Sequence, residues 1–321
     1  MDMDINKKQN LIILSGPTAS GKTSLSIKLA KEIGGNIISA DSVQVYKGMD
    51  IGSAKISAEE MEGVPHYLID VLEPEDDFSI ALFKQYAVKN ITQINEKGAV
   101  PIIVGGTGFY IQALLYDIDF DDEANEDTSI RDELTALANM HGNEFVHNML
   151  KEVDSESALQ IHPNNIKRVI RAIEFFRQTG KKISDHNIEQ REKKSPYNYK
   201  YFVINVDRDT LYRNIDKRVD IMIERGLVDE VRRLRNRGLS KKNISMQGLG
   251  YKEILSYLDG EITLDNAIEI IKRDTRHFAK RQITWFKRER DVVWINKEGF
   301  DFDEDRMIDF IKEQLKNEGI I

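Results

Sequence analysis

Gly16-Pro17-Thr18-Ala19-Ser20-Gly21-Lys22-Thr23 matches the phosphate-binding loop pattern G-x-x-x-x-G-K-[ST] at every fixed position. The preceding Leu11-Ile12-Ile13-Leu14 is an apolar run of strand length, and residues 24–33 have the spacing of an amphipathic helix. Strand, glycine-rich turn and helix in that order constrain what can follow. The strand belongs inside a sheet, and the helix must pack back across it. The glycines let successive backbone N–H groups turn inward around an anion, and the helix N-terminus adds the positive end of its dipole. Residues 16–23 therefore predict a diphosphate or triphosphate site. Lys22 supplies a point charge to the outer phosphate oxygens, and the Thr23 hydroxyl is placed to ligate Mg2+.

Apolar runs at 36–40, 67–72 and 101–104 alternate with helical patterns at 24–33 and 81–96. Such alternation predicts right-handed βαβ units and a parallel sheet. Further strands are expected at 201–206 and 292–295. Between 117 and 198 no run reads convincingly as a strand. There Ile166, Val169, Ile170 and Ile173 recur at i, i+3, i+4 and i+7, so Lys167, Arg168 and Arg171 lie on other faces of that helix. The expected fold is α/β, with a P-loop (nucleoside triphosphate hydrolase-like) core over 1–116 and 199–321. An all-helical insertion is expected over 117–198. Later helices, at 210–225, 227–237, 250–258, 264–289 and 304–317, would cover the sheet and rebuild its edge.

The 321 residues contain no cysteine, which excludes disulfides, thiolate zinc sites and a cysteine nucleophile. No apolar run approaches the ~20 residues of a membrane span, and the mixed-charge N-terminus lacks an apolar signal core, so a cytoplasmic protein with no membrane partner is expected. The net charge of −8 disfavours nucleic acid until its distribution is considered. Residues 117–133 carry nine acids against Arg131 alone, whereas 160–200 have ten Lys/Arg against four acids and 267–290 eight against three. Two basic segments in an acidic protein can hold a polyanion on one face, although charge runs are also ordinary solvated faces.

Asp41-Ser42-Val43-Gln44-Val45-Tyr46 follows the expected strand 36–40, where open α/β sheets gather their ligands. A carboxylate there can be a general base, a Mg2+ ligand or a structural turn acid. Gln44 carries the donor and acceptor needed to read a base edge. Gly105-Gly106-Thr107-Gly108 follows strand 101–104 in the same way, and its glycines permit close backbone approach. Tyr67-Leu68-Ile69-Asp70 comes closest to a Walker B strand without matching it clearly, which weighs against ordinary ATP hydrolysis. Arg218 stands on a helix with a core stripe of Ile215, Val219, Met222 and Ile223, and is either a surface ion-pair residue or a phosphate clamp. From Lys272 to Arg288 basic residues recur every three to four positions opposite Ile271, Phe278, Trp285 and Phe286.

Taken together, residues 16–23, 41–46, 47–55, 104–110, Gly250-Tyr251-Lys252-Glu253 and Lys280-Arg281-Gln282-Ile283-Thr284-Trp285-Phe286 resemble the bacterial tRNA dimethylallyltransferase (IPP transferase) family. The resemblance runs from about residue 11 to residue 296; Ser53 stands where threonine is expected and Ile56 where proline is. It implies transfer of a dimethylallyl group from dimethylallyl diphosphate to the exocyclic amine of the adenine 3′ to the anticodon of tRNA. The P-loop would then hold a prenyl diphosphate with Mg2+, and no nucleotide would be hydrolysed. It implies a clamp from Lys22, Arg218 and Mg2+ on Thr23, with Asp41 as general base. The contacts to the tRNA anticodon arm would come from Asp41, Ser42, Val43, Gln44, Thr107, Lys167, Arg168, Arg171, Gln247 and Lys280. A monomer is expected. A P-loop kinase and an ATP-gated RNA-binding switch are the rival readings.

Overall fold

The computed structural model describes residues 8–118 and 128–321. The acids between 119 and 127 lie outside the described residues. The chain divides into two compact units, Met1–Leu114 with Tyr197–Ile321, and Leu115–Pro196.

In the first unit the described residues form a six-stranded, wholly parallel sheet of order β3-β2-β4-β1-β5-β6. The strands are β1 (Gln9–Ser15), β2 (Gly35–Ser39), β3 (His66–Tyr67), β4 (Val100–Gly105), β5 (Tyr197–Asn205) and β6 (Val292–Asn296). Leu11, Ile12, Ile13 and Leu14 of β1 are fully buried between β4 and β5, which is why this strand is a continuous apolar run. Helices α1 (Lys22–Ile33) and α2 (Ile80–Glu96) make the early crossovers, and α3 (Gly108–Leu115) follows β4. After β5 come α9 (Arg208–Glu224), α10 (Leu227–Asn236), α11 (Tyr251–Leu258), α12 (Leu264–Phe286) and α13 (Glu304–Asn317). The expected helices are all present, with ends shifted by a few residues. α12 stops at Phe286, and the basic tail beyond it is a turn.

One strand is corrected. The expected strand 67–72 shrinks to His66–Tyr67 plus a single bridge between Leu72 and Tyr46. Leu68 and Asp70 have φ of 62° and 53°, in the left-handed region, so an apolar composition there does not produce an extended backbone. The Asp70 carboxylate accepts from Lys55 Nζ at 2.5 Å and so has no Walker B position.

The second unit contains α4 (Ser129–His141), α5 (Asn143–Val153), α6 (Ser155–Gln160), α7 (Ile166–Thr179) and α8 (Ile183–Glu192), with no strand among its described residues. Leu134, Val146, Leu150, Val169, Ile170 and Ile173 form its core, so the stripe read from the sequence is the buried face of α7. Asp154 is fully buried between α5 and α6, where Ser157 and Ser184 each donate a hydroxyl and a backbone N–H to its carboxylate at 2.7–3.0 Å. Burial alone would raise its pKa; these four bonds outweigh it and hold the carboxyl below its ordinary value.

Candidate active site

The C-terminal ends of β1, β2 and β4 open on one cavity of about 420 Å3. β1 leads into the loop between Ser15 and Lys22, and Gly21 closes that loop in the left-handed region with φ 84°. At Gly16 a Cβ would lie 2.5 Å from the Ile204 carbonyl oxygen, so glycine lets the loop lie against β5. Thr18, Lys22 and Thr23 line the cavity from this side, while Ala19, Gly21 and Thr23 also border a shallower hollow beside Asn214 and Lys217. Ser20 is buried, and its backbone N–H donates to the Pro17 carbonyl at 3.3 Å.

Lys22 is partly buried and donates from Nζ to its own loop at the Pro17 carbonyl, 2.8 Å away. Burial, aided by the nearby Arg218 charge and opposed by Asp41, lowers its pKa to about 7. Burial also pulls the Arg218 guanidinium below its usual range, again opposed by Asp41. Two partly buried cations beside one carboxylate give the cavity the charge that suits a multiply charged anion. A testable consequence follows from the sign. Lys22 loses its proton as pH rises through about 7, and an anion that binds the charged form must then bring that proton back. The dissociation constant of magnesium pyrophosphate is expected to rise by up to about tenfold per pH unit between about pH 7.5 and 9. Calorimetric titration at several pH values checks this, and Lys22→Arg should flatten the slope.

From β2, Asp41 lies at the cavity wall. Its Oδ1 accepts from the backbone N–H groups of Val43 at 2.8 Å and Gln44 at 3.2 Å, so one carboxylate oxygen shapes the turn. The Gln44 side chain is engaged within the protein. Its Oε1 accepts from Ser39 Oγ at 3.2 Å, and its Nε2 donates to the carbonyls of Ser53 and Ala54 at 3.4 Å each. Ser42 is exposed, and Val43 approaches the backbone of Gly248. Ser53, one of the two departures noted in the sequence, turns its hydroxyl to the Met49 carbonyl at 2.6 Å. Its own carbonyl accepts from Arg218 Nη2 at 3.3 Å and so helps to aim that guanidinium.

Sequence reasoning passed over Glu230 and gave no role to Tyr251 or Gln282, although both stand in segments quoted above. Glu230 at the start of α10 is buried and binds the backbone of residues 50–52 with both carboxylate oxygens. Tyr251 donates to the same carboxylate at 2.8 Å, and a Cβ at Gly52 would lie 2.6 Å from the Tyr251 ring. Gln282 of α12 reaches both the loop at residues 16–23 and the Gly106 turn. The fourth wall is apolar: Val219 and Met222 from α9 face Ile271 and Phe278 from α12, with Leu249 beside them.

The remaining candidates divide. Thr107 and Gln247 line the cavity, Gln247 as an exposed residue. Lys280 is exposed on α12 and has no ion-pair partner among the described residues. Lys272 pairs with Asp220 of α9 at 2.6 Å, and Arg276 pairs with Asp216, so part of the basic stripe fastens one helix to the other. In the second unit Lys167 and Arg168 are exposed, whereas Arg171 pairs with the buried Glu174 at 3.2 Å. Among the described residues no helix is long and apolar enough to cross a membrane.

A family described as IPP transferase matches residues 44–289 of the chain. A tRNA dimethylallyltransferase from Lachnoclostridium phytofermentans is 58% identical over 95% of this chain and 97% of its own length. One from Acetivibrio thermocellus is 52% identical over 97% and 99%. Among solved structures, the full-length tRNA isopentenylpyrophosphate transferase of Bacillus halodurans superposes with a TM-score of 0.73 at 43% identity, covering 97% of this chain and 98% of that one. A eukaryotic dimethylallyltransferase acting on tRNA gives 0.76 at 29% identity, covering 90% and 74%. With the family match covering residues 44–289 and these relatives aligned over nearly the full length, the chain belongs to the IPP transferase family.

Proposed function

We propose that this chain transfers the dimethylallyl group of dimethylallyl diphosphate to the exocyclic amine of the adenine 3′ to the anticodon in tRNA, releasing diphosphate. The observation that carries the reading is the composition of the cavity at the strand ends. A loop of phosphate-binding pattern with two partly buried cations stands at one side, a carboxylate at another, and an apolar wall between α9 and α12 at a third. An apolar wall beside an anion site suits a five-carbon prenyl chain joined to a diphosphate.

Residues 16–23 act as a P-loop put to work on a prenyl diphosphate, in a nucleoside triphosphate hydrolase-like core into which the helical unit is inserted. Lys22, Arg218 and the loop amides neutralise charge on the departing diphosphate as the carbon–oxygen bond breaks and its electron pair leaves with oxygen. The amine nitrogen attacks the freed carbon, and its proton passes to the carboxylate of Asp41. Thr107 and the cavity-facing backbone of Gly105 and Gly106 border the space left for the flipped adenine. The hydroxyl oxygen of Thr23 at the cavity is a hard donor that suits Mg2+, which keeps few protein ligands. The Thr23 hydroxyl, diphosphate oxygens and water would supply the oxygen ligands that Mg2+ prefers. When bound, Mg2+ adds positive charge against the leaving group.

Incubation with labelled dimethylallyl diphosphate or labelled ATP, with and without tRNA, tests the reading. Label should pass from the prenyl donor to tRNA and to nothing else. Phosphoryl transfer from ATP would favour a kinase, and ATP turnover that tracks RNA binding would favour a gated switch.

The RNA is expected to meet the exposed cations of each unit. Affinity for tRNA should fall linearly with salt on a log–log scale, because each neutralised phosphate releases counterions. Arg168→Ala and Lys280→Ala are each expected to reduce that slope by up to about one unit and to raise the KM for tRNA, with the KM for the prenyl donor unchanged. Arg171→Ala should change the slope less, since Glu174 already holds that guanidinium. Equal slopes for wild type and both exposed-site variants would assign these charges to a solvated face.

A further inference from the structure

Gln282 belongs to the conspicuous segment 280–286, and nothing in the chemistry above uses it. It is 6% exposed, lies on α12, and its side-chain amide spans two loops that come from distant parts of the chain. Oε1 accepts the backbone N–H of Thr18, in the phosphate loop, at 2.9 Å. Nε2 donates to the carbonyl of Gly106 at 2.9 Å, one residue before Thr107. The fit leaves no slack. A Cβ at Gly106 would lie 2.1 Å from Nε2, and a Cβ at Gly108 would lie 2.2 Å from the Trp285 ring one turn further along α12. The Gly106 carbonyl also accepts from Gly108 N–H at 3.1 Å, so the turn that presents Thr107 is closed from inside and gripped from outside.

We propose that Gln282 is a positioning residue that couples the phosphate loop to the Thr107 turn, so that the prenyl-diphosphate and adenine ends of the cavity are set together. The inference rests on the reading of the cavity given above. Its physical basis is the amide itself. Only a group that accepts at one end and donates at the other, about 2 Å apart and held planar, satisfies a backbone N–H on one loop and a backbone carbonyl on the other. Both loop groups are partly buried, so losing either partner leaves an unsatisfied polar atom and lets the loops move independently.

Two substitutions separate positioning from bulk. Gln282→Met keeps the shape and loses both bonds; Gln282→Glu keeps the bond from Thr18 and sets oxygen against the Gly106 carbonyl unless the carboxyl is protonated. Steady-state transfer is measured for both from about pH 8 to pH 6 and expressed relative to wild type at each pH. Gln282→Met is expected to raise the KM for prenyl donor and for tRNA together, lowering kcat/KM about tenfold or more at every pH. Gln282→Glu should match that loss at pH 8 and recover several-fold toward pH 6, as the buried carboxyl gains the proton it donates to Gly106. Unchanged KM values with a lower kcat would indicate only a smaller folded fraction and would overturn the proposal. So would a pH-independent ratio for Gln282→Glu. Pyrophosphate affinity, measured without RNA, keeps the two readings distinct. A wild-type protein that binds pyrophosphate but transfers no prenyl group defeats the transferase reading, whereas an active wild type with an unaffected Gln282→Met variant defeats the coupling.

Discussion

Asp41→Asn is expected to slow prenyl transfer by about 10²-fold or more, the scale of a lost general base, while the protein still folds and still binds both substrates. The geometry favours a clean experiment. Asparagine retains an oxygen that can accept from Val43 and Gln44, so the turn those bonds build should survive. What it loses is the ability to take a proton from the amine. One side effect has a known sign: the Asp41 charge helps to hold the proton on Lys22, and removing it weakens that cation. The donor KM should therefore rise modestly, and the comparison belongs at saturating donor, in single-turnover mode with labelled prenyl diphosphate and excess enzyme. If the bound complex reacts within a few-fold of the wild-type rate, Asp41 is a turn-forming acid and the proton leaves by another route.

The parts of this site that could be read from the sequence are those whose geometry is local. The loop at residues 16–23 joins a strand and a helix that lie within twenty-five residues, Gln9 to Ile33, and its glycines report directly on backbone conformation. Asp41 and Thr107 could be placed because each follows a buried strand, and the ends of parallel strands converge. The α12 stripe was legible as a pattern but only partly as a role. Lys272 and Arg276 look like their neighbours in sequence, yet Asp220 and Asp216 of α9 neutralise them, and nothing local announces that pairing. Residues 67–72 misled for the opposite reason. Their apolar composition serves packing in a turn-rich segment, and left-handed Leu68 and Asp70 prevent a strand. The roles of Gln282 and Glu230 could not be read because their partners lie 264 and about 180 positions away, and their side chains are ordinary for helices.

The largest effect on stability is expected at Glu230, because its carboxylate accepts four hydrogen bonds at a site 1% exposed. Oε2 takes the N–H groups of Asp50 at 3.0 Å and Ile51 at 2.8 Å; Oε1 takes Gly52 N–H at 3.1 Å and the Tyr251 hydroxyl at 2.8 Å. Beside these four bonds, the N-terminal turn of α10 compensates part of its charge through the helix dipole. Every partner is a donor, so an acceptor-only group is required, and a neutral amide of the same shape must turn its NH2 toward other N–H or O–H groups. Glu230→Ala is expected to cost about 3–5 kcal/mol in denaturant titration, from three backbone N–H groups and one hydroxyl left buried without partners. Glu230→Gln should recover only part of that, and Tyr251→Phe, which leaves the three backbone bonds intact, should cost about 1 kcal/mol. The same variants reach the chemistry through Ser53, the next residue, whose carbonyl receives Arg218 and Gln44. In a protein that still folds, Glu230→Gln should therefore raise the KM for prenyl diphosphate while Tyr251→Phe leaves it nearly unchanged. A loss below about 1 kcal/mol for Glu230→Ala would mean that residues 50–52 are held by their own turn, with the carboxylate a bystander to it.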